Sequence, residues 1–479
     1  MLSFVKRTWN SPTFTTWGDQ AVRFLRLIAI TPLLLTKFDT SEIAAWYLFA
    51  SLIFLSEIIG TRMQLTFSRM VAFAMAGATD LAPITGKRER TSGQPNWALV
   101  ERTYGTVGGI NAVVCLFVTV VSGAIGYYGL QAVADASTSP NQIWMAFAVM
   151  LASHAVSFWF QRYAIALKGM NHVALVNRWN AVFGALSIVA GLVALANDVG
   201  ILGLTVVMQT MSLIGVLRLW WLLRRIEDGR FRNFCGYRID REVGGWAREP
   251  FVKGLALVIT NAGLLQLATV IYAREAPVAA TASFAFSLRL LLALRQICEA
   301  PFNSHTPKMS RLLAQGELSK LSTLAERKIM IAQALLAIGM ICLGIVGPFA
   351  LRLLEANATF ISLPDFLILS SLMFFQRTIL FHTLLSAIGN NFVCFWSNLV
   401  SAGISVVLLL VLIPRFGFYG LCFSVFVPQI VALNIQPLLA VTAQLGVDWK
   451  AFLRRSSGAP ICLQLCVLAI ALWIHLSAP

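Results

Sequence analysis

Arginines and glutamates that interrupt long apolar stretches are the chemically most informative residues of this chain. The arginines are Arg23, Arg26, Arg289, Arg295 and Arg377, and the glutamates are Glu57 and Glu299. An arginine at the centre of a membrane helix costs about 2.5 to 3.5 kcal/mol on insertion scales, so it needs a partner, water or a ligand. A planar guanidinium binds phosphate through a fork of donors. Because the deeply placed ionisable groups are mostly cationic, the sequence favours an anionic ligand.

Spacing separates structural from ligand-binding arginines in the second half of the chain. Arg295 and Glu299 are four residues apart, which predicts an ion pair on one helix face and favours a structural role. Arg289 and Arg377 have no acid in reach on their own predicted helices. We expect both to face a water-filled cavity.

Two further arginines share a helix face near the beginning of the chain, in "AVRFLRLIAI". Snorkelling to the membrane surface accounts for Arg23. Arg26 lies about 9 Å inside the predicted helix end at 1.5 Å per residue. A cavity and snorkelling account for Arg26 equally well.

Other polar residues in apolar runs receive simpler interpretations. Arg162 and His382 lie near predicted helix ends and are interpreted as interfacial anchors, and Glu57 and Glu299 as a gate or a structural pair. These two glutamates are the only acids that we assign to membrane helices. Asn261 is a candidate to bind sugar hydroxyls, with a hydrogen bond between helices as the alternative.

The sequence lacks the usual signatures of catalysis. It contains no GxxxxGK[ST] phosphate loop, no HExxH and no CxxC, and its five histidines are scattered. We therefore expect no enzyme activity, no cofactor and no metal site.

The elements that must position these residues are membrane helices. The chain has 479 residues, of which 58% are hydrophobic and 12% charged, whereas about a quarter of a soluble domain is charged. Because a bilayer core needs roughly 20 apolar residues per helix, we predict an all-α integral membrane protein. Its thirteen predicted helices span residues 20–37, 42–61, 104–128, 142–165, 175–196, 200–222, 251–273, 279–301, 328–353, 363–387, 393–414, 417–442 and 459–477.

The charge distribution predicts how these helices are oriented. The net charge of +16 arises from lysines and arginines in alternate loops, which is the positive-inside pattern and not a nucleic-acid surface. It places the N-terminus in the cytoplasm. The first residues, "MLSFVKRTWNSPTFTTWGDQ", lack a signal-peptide pattern, so we expect the first membrane helix to target the chain.

Short sequence motifs, called words below, recur in the two halves of the chain in the same order, which predicts an internal duplication. They are "DVGILGL" (198–204) with "RFGFYGL" (415–421), "GMNHV" (169–173) with "GNNFV" (389–393), and "SRMVA" (68–72) with "SRLLA" (310–314). The Gly-x-x-Gly-Leu words are interpreted as tight hairpins between helices, because glycine permits positive φ. The alternative explanation is that such motifs recur without duplication, because small residues pack membrane helices in many proteins.

The duplication defines four predicted regions. Residues 1–222 form an N-terminal six-helix lobe, 223–250 a basic cytoplasmic linker, 251–442 a C-terminal six-helix lobe, and 443–479 a cytoplasmic loop with an extra transmembrane helix. Two copies with an even number of spans are parallel. Such designs bind substrate between the lobes and rock one lobe against the other.

The chain resembles the multidrug/oligosaccharidyl-lipid/polysaccharide exporter superfamily. The features that carry the resemblance are twelve helices in two parallel copies, the "SRLLAQGE" segment and the repeated glycine turns. The most similar branch is that of the bacterial polysaccharide or O-antigen flippases. The resemblance covers about residues 18–442 and implies a V-shaped transporter of the bacterial inner membrane. It implies a flippase that moves an undecaprenyl-diphosphate-linked oligosaccharide to the outer leaflet for surface polysaccharide or lipopolysaccharide synthesis. In related flippases cavity arginines bind the diphosphate, and Arg26, Arg289 and Arg377 best match that role.

Besides the lipid-linked substrate and membrane lipids, a polysaccharide polymerase and other assembly proteins are the implied partners. A cation-coupled multidrug or metabolite exporter of the MATE type is the main alternative, although cationic drugs call for buried carboxylates. A membrane enzyme or scaffold of polysaccharide assembly is the third class. The sugar, the driving ion and the oligomeric state stay open.

Overall fold

The computed structural model describes residues 12–78, 94–234, 237–258, 260, 263–303, 305–306, 309, 312–313, 317–355, 357, 359–388, 395–433 and 436–477. Throughout these ranges the regular structure is helical, without a strand. The chain divides into two compact units, Met1–Ile259 and Thr260–Pro479. The predicted all-α membrane class is confirmed.

The first unit is built from seven helices and a short turn. They are α1 (Pro12–Lys37), α2 (Thr40–Met75), α3 (Trp97–Asp135), α4 (Pro140–Gly169), α5 (Val173–Ala196), α6 (Gly200–Leu223), a 3₁₀ turn (Glu227–Arg232) and α7 (Arg241–Val258). A capping box starts α2: Asp39 Oδ1 accepts from the Glu42 amide at 2.7 Å, and the Asp39 amide donates to Glu42 Oε2 at 3.3 Å. Helix α1 packs on α5, α4 on α6, and α2 on both α3 and α4.

The second unit contains the remaining helices. They are α8 (Leu264–Glu275), α9 (Val278–Asn303), α10 (Leu318–Leu353), α11 (Leu363–Ile388), α12 (Phe395–Leu433), α13 (Gln436–Leu445), α14 (Trp449–Leu453), a π turn (Arg454–Gly458) and α15 (Ala459–Ser477). Its core is rich in phenylalanine, with Phe284, Phe366, Phe374 and Phe426 at most 1% exposed. Helix α9 packs on α10, and α11 packs on α10, α12, α13 and α15.

Ten helical segments of the described part are long and apolar enough to cross a membrane. One of them includes α12 (Phe395–Leu433), which has 39 residues, about twice the number that crosses a bilayer core. The helical path breaks at Gly417, where φ is 52° and ψ is −121°. A Cβ atom on Gly420 would overlap the Leu412 carbonyl oxygen, so the chain folds back on itself here. Residues 395–416 and 418–433 are therefore two arms of a hairpin.

The other Gly-x-x-Gly-Leu word forms a turn as well. Between α5 and α6, Asp198 has a φ of 51° and Gly200 a φ of 66°. Positive φ at both words confirms the prediction of two glycine turns. The second copies of the other words, at 310–314 and 389–393, fall largely outside the described residues.

The structure corrects the prediction for the first helix of the first unit. Helix α1 begins at Pro12 instead of residue 20, so Asp19 lies inside it and is an acid in a helix that we had not assigned. The predicted helix 251–273 corresponds to the end of α7, at Val258, and to α8, which begins at Leu264; the described Thr260 and Gly263 between them are π-helical. Helices α1, α7 and α8 are not among the ten candidate spans.

Helix α15, the extra C-terminal helix, is packed into the second unit. Its fully buried Gln464 donates from Nε2 to Ser371 Oγ of α11 at 3.5 Å and lies 4.0 Å from the Met340 sulfur of α10. A buried amide with partners on two other helices places α15 in the interior packing of the unit.

Candidate functional site

A buried charged cluster connects α9 and α11 in the second unit. Arg377 Nη2 of α11 forms an ion pair with Glu299 Oε1 of α9. Arg295 Nε, one turn earlier on α9, lies 3.5 Å from the same carboxylate oxygen. The side chains of Arg377, Arg295 and Glu299 are 9%, 12% and 12% exposed. The structure thus brings together three of the residues selected from the sequence.

Apolar packing positions the cluster. Phe381 lies one turn after Arg377, and its ring contacts Phe302, one turn after Glu299, at a centroid distance of 5.1 Å. Both rings are 1% exposed. The ring pair and the ion pair therefore join the same two helices at successive turns.

The cluster has an excess of positive charge. Two guanidinium groups share one carboxylate, which leaves a net charge of +1 with all three groups ionised. The Nε atoms of Arg295 and Arg377 are buried and make no hydrogen bond to any described residue. A buried cationic group with unused donors is suited to an anion, because charge-assisted hydrogen bonds compensate its desolvation.

Arg377 has a partner that the sequence did not indicate, and its predicted cavity role stays a prediction. Because no acid on its own helix is in reach, the sequence left Arg377 unpaired, but Glu299 reaches it from α9. Sequence spacing along one helix carries no information about a partner on another. The Arg295–Glu299 pair is confirmed, and Glu299 has a second partner that the sequence did not indicate.

A chain of buried amides begins beside Arg377. Gln376 Nε2 donates to Gln429 Oε1 of α12, and Gln429 Nε2 donates to the Thr260 carbonyl oxygen at 2.6 Å. Gln376 and Gln429 are 6% and 2% exposed. The chain ties α11 to α12 and to the backbone that precedes α8, and so orients the turn that carries Arg377.

The other candidate residues of the second unit are less defined. Arg289 is half-buried, and within the described ranges no carboxylate lies within ion-pair distance of it. Asn261, the candidate for sugar hydroxyls, lies outside the described residues. A role of either residue in ligand binding stays a prediction.

In the first unit the predicted residues lie at exposed positions. Arg23 forms an ion pair with Asp19 at 3.3 Å and has a side chain that is 56% exposed. Arg26 and Glu57 are exposed. Next to Glu57, Ser56 Oγ lies 2.6 Å from His154 Nε2. Substrate binding by Arg23 and Arg26 and a gating role for Glu57 stay predictions.

One arginine of the first unit is buried and another is half-buried, which sequence reasoning missed in both cases. Arg162, predicted to be an interfacial anchor, is 7% exposed, donates to the Tyr163 hydroxyl at 2.7 Å and lies 4.3 Å from the Tyr237 ring centre. Arg218 of α6 donates to Asn180 Oδ1 at 3.0 Å and lies 5.1 Å from the Phe183 ring. His382, the matching anchor in the second unit, is 3% exposed.

Residues after α6, predicted to form a linker, are folded against the first unit. Arg102 of α3 donates from Nε to Asp240 Oδ2 at 2.8 Å and from Nη2 to Glu242 Oε2 at 2.6 Å. The Asp240 amide donates to Thr106 Oγ1 at 3.0 Å. Hydrogen bonds from Arg102 and then from the Val243 amide hold the pKa of Asp240 at about 2. Ile239 packs so closely on Gly109 that a Cβ there would overlap its side chain.

The fold and the charged cluster define a helical multi-pass membrane protein with a buried cationic site. Neither a protein-family model nor a curated protein matches its sequence. Solved structures do match its fold. The lipid II flippase MurJ in an inward closed conformation has a TM-score of 0.61 at 11% identity, covering 97% of this chain and 98% of that chain.

Two multidrug transporters match over similar lengths. An inward-facing MATE family transporter of the MOP superfamily has a TM-score of 0.56 at 14% identity, covering 89% of this chain and 96% of its own. The MATE multidrug transporter DinF-BH has a TM-score of 0.54 at 13% identity, covering 92% of this chain and 97% of its own. The chain therefore has the fold of these transporters, which confirms the resemblance at the level of the fold.

Proposed function

We propose that this protein is a flippase that moves an undecaprenyl-diphosphate-linked oligosaccharide from the cytoplasmic to the outer leaflet of a bacterial inner membrane. The observation that carries the proposal is the cluster of Arg377, Arg295 and Glu299, which is buried, cationic and has unused donors. The presence of a lipid II flippase among the fold neighbours supports a lipid-linked substrate.

The chemistry of the cluster suits a diphosphate. Each guanidinium has five N–H donors, of which the contact with Glu299 uses few, and two guanidiniums that face the same carboxylate from two helices match two linked phosphates. Glu299 then acts as an internal counter-anion that holds the arginines when substrate is absent. The diphosphate displaces it and takes over the same donors.

The direction of transport has a physical basis that needs no hydrolysis. Moving negative charge out of a cell with a negative interior gains about 2.3 kcal/mol per charge per 100 mV. The positive-inside pattern supports a cytoplasmic N-terminus. Surface polysaccharide assembly, with a polymerase as a partner, is the process that would use the product.

Multidrug export is the competing function, because two of the matching structures are multidrug transporters. A desolvated cationic drug requires a buried carboxylate that is free to pair with it. Glu299 is buried but already contacts two arginines. The charge of the cluster therefore favours an anionic substrate over a cationic one.

Reconstitution tests the proposal. Proteoliposomes with purified protein receive a fluorescent undecaprenyl-diphosphate oligosaccharide in one leaflet, and its transfer is followed by quenching from outside. We expect Arg377→Lys, which keeps the charge but not the planar fork, to slow transfer at least tenfold. Arg352→Lys, an exposed position at the end of α10, is the matched control and should transfer at the wild-type rate.

Two results would overturn the proposal. One is that both single variants, Arg377→Lys and Arg377→Gln, transfer the lipid at the wild-type rate. The other is no transfer by the wild type in vesicles that do accumulate a cationic dye, which would establish drug export instead.

A further inference from the structure

Residues 224–234, which follow α6 in the first unit, form a folded basic segment that we call the knob. The chain reverses through positive φ angles at Glu227, Asp228 and Gly229. Phe231, 5% exposed, and Phe234 contact Trp97 and Tyr104 of α3 at centroid distances of 5.5 to 6.4 Å. These aromatic contacts make residues 224–234 a defined surface instead of a free tether.

Three arginines of this surface each lie against a tryptophan ring. Their guanidinium carbons are 4.3 Å (Arg224 on Trp220), 4.0 Å (Arg225 on Trp221) and 4.7 Å (Arg230 on Trp97) from the ring centres. All three arginines are exposed. We call Arg224, Arg225 and Arg230 the tryptophan-backed arginines.

Stacking leaves the donors of these arginines available. A guanidinium on an aromatic ring uses its face, whereas its N–H groups point outward in the plane. The side-chain donors are also not used to cap the carbonyl groups of Trp220 and Leu222 at the end of α6. Trp220 O accepts from the Arg224 amide at 3.2 Å, and Leu222 O accepts from the Arg225 amide at 3.0 Å. Arg232 Nε caps the Arg224 carbonyl at 3.1 Å.

The local charge balance is positive. Residues 224–232 carry four arginines and two acids, Glu227 and Asp228, for a net charge of +2. The nearby Asp240 and Glu242 are both bonded to Arg102. The acids closest in sequence after the knob are therefore neutralised elsewhere.

The position of the tryptophans points to the membrane surface. Gly200–Leu223 is one of the candidate spans, and Trp220 and Trp221 occupy its last turn. Tryptophan is enriched at the membrane–water interface, and basic residues just beyond it lie at the level of the lipid phosphates. We infer that the tryptophan-backed arginines form a binding site for the headgroup of an anionic phospholipid, with the stacked guanidiniums as the phosphate donors. This site is independent of the transported substrate.

Lipid binding to the purified full-length protein tests the inference. The protein in detergent is titrated with phosphatidylglycerol or phosphatidylcholine, and bound lipids are counted by native mass spectrometry. A basic residue near an anionic surface contributes about fivefold in affinity, so Arg224→Gln, Arg225→Gln and Arg230→Gln combined should weaken phosphatidylglycerol binding on the order of 100-fold. Phosphatidylcholine binding should not change.

The chain offers a control of equal charge. Arg238, Arg241 and Arg248 are also exposed and follow the knob, and none of them lies on a ring among the described residues. Their triple Gln variant loses the same charge and should weaken binding less than tenfold. A triple Lys variant at the tryptophan-backed positions keeps the charge and should lie between the wild type and the triple Gln variant.

Three outcomes would overturn the inference. They are an equal loss in both triple Gln variants, equal binding of the two lipids by the wild type, and displacement of the lipid by inorganic phosphate at concentrations similar to those of the lipid. If the triple Gln variant at the knob has a lowered melting temperature, Arg225→Gln alone is measured, with an expected loss of about fivefold and with Arg238→Gln as its control.

Discussion

Arg377 of α11 forms an ion pair with Glu299 of α9, one turn before the ring contact between Phe381 and Phe302 joins the same helices. The apolar contact determines how close the helices come, and the ion pair then requires the carboxylate to face α11. Because Arg295 contacts the same carboxylate, one acid holds two cations. Stability and ligand binding are therefore coupled at Glu299.

The first prediction concerns stability. Arg377→Met should destabilise the second unit by about 3 to 5 kcal/mol, because it leaves a buried carboxylate with a single long contact to Arg295. The midpoint of thermal unfolding in detergent measures the effect. Arg352→Met, at an exposed position, serves as the control.

A double substitution distinguishes the loss of the ion pair from the loss of packing. Arg377→Met combined with Glu299→Gln should regain at least half of the lost stability, since no unpaired carboxylate is then buried. If the double variant loses as much stability as the two single variants lose together, the pairing of Arg377 with Glu299 is contradicted.

The second prediction concerns ligand binding. Glu299→Gln removes the internal counter-anion, so inorganic diphosphate should bind about tenfold more tightly, which corresponds to about 1.4 kcal/mol. The same variant should melt at a lower temperature, because two buried guanidiniums then repel each other. Isothermal titration calorimetry gives the affinity, and weaker binding by Glu299→Gln would argue against displacement by the ligand.

The third prediction concerns the hairpin at Gly417. Gly420→Ala should cost about 1 to 3 kcal/mol, since a Cβ would overlap the Leu412 carbonyl oxygen and the backbone must move. Gly403→Ala, on the same helix with nothing within 4 Å of the new Cβ, should be neutral or slightly stabilising. Equal melting temperatures for the two variants would contradict the reversal of the chain.

The fourth prediction concerns pH. The pKa of Asp240 is about 2 in the folded protein, below its ordinary value of about 3.9. A depressed carboxyl pKa stabilises above the ordinary value, and this contribution is lost as the pH falls through about 2. Docking of the segment around Asp240 should therefore be constant above about pH 4 and weaken below it.

Limited digestion with pepsin measures this docking. Cleavage between residues 224 and 240 should increase in the wild type as the pH falls from about 4 to about 2, relative to a denatured substrate. Asp240→Asn, which carries no titrating group there, should be cleaved readily and without that pH dependence. Identical profiles for the two proteins would show that Asp240 does not hold the segment.

Properties that depend on composition and local spacing were predictable from the sequence. An apolar run of about 20 residues forms a membrane helix in almost any context, because no water is available to bond an open backbone. Residues four apart on a helix meet regardless of tertiary structure, which is why the Arg295–Glu299 pair was predicted correctly. The glycine turns at Gly200 and Gly417 were predictable for the same reason, since positive φ is a local requirement.

Contacts between distant residues needed the tertiary structure. Glu299 and Arg377 are 78 positions apart, and their pairing depends on how α9 and α11 are rotated about their axes. The burial of Arg162 depends on Tyr237, which lies in the segment that the sequence predicted to be a basic cytoplasmic linker. Rotation and docking result from summed apolar packing over whole helices, and no short stretch of sequence encodes that sum. The sequence thus identified which residues carry charge inside the membrane helices, and the packing of the helices determined which of those charges meet.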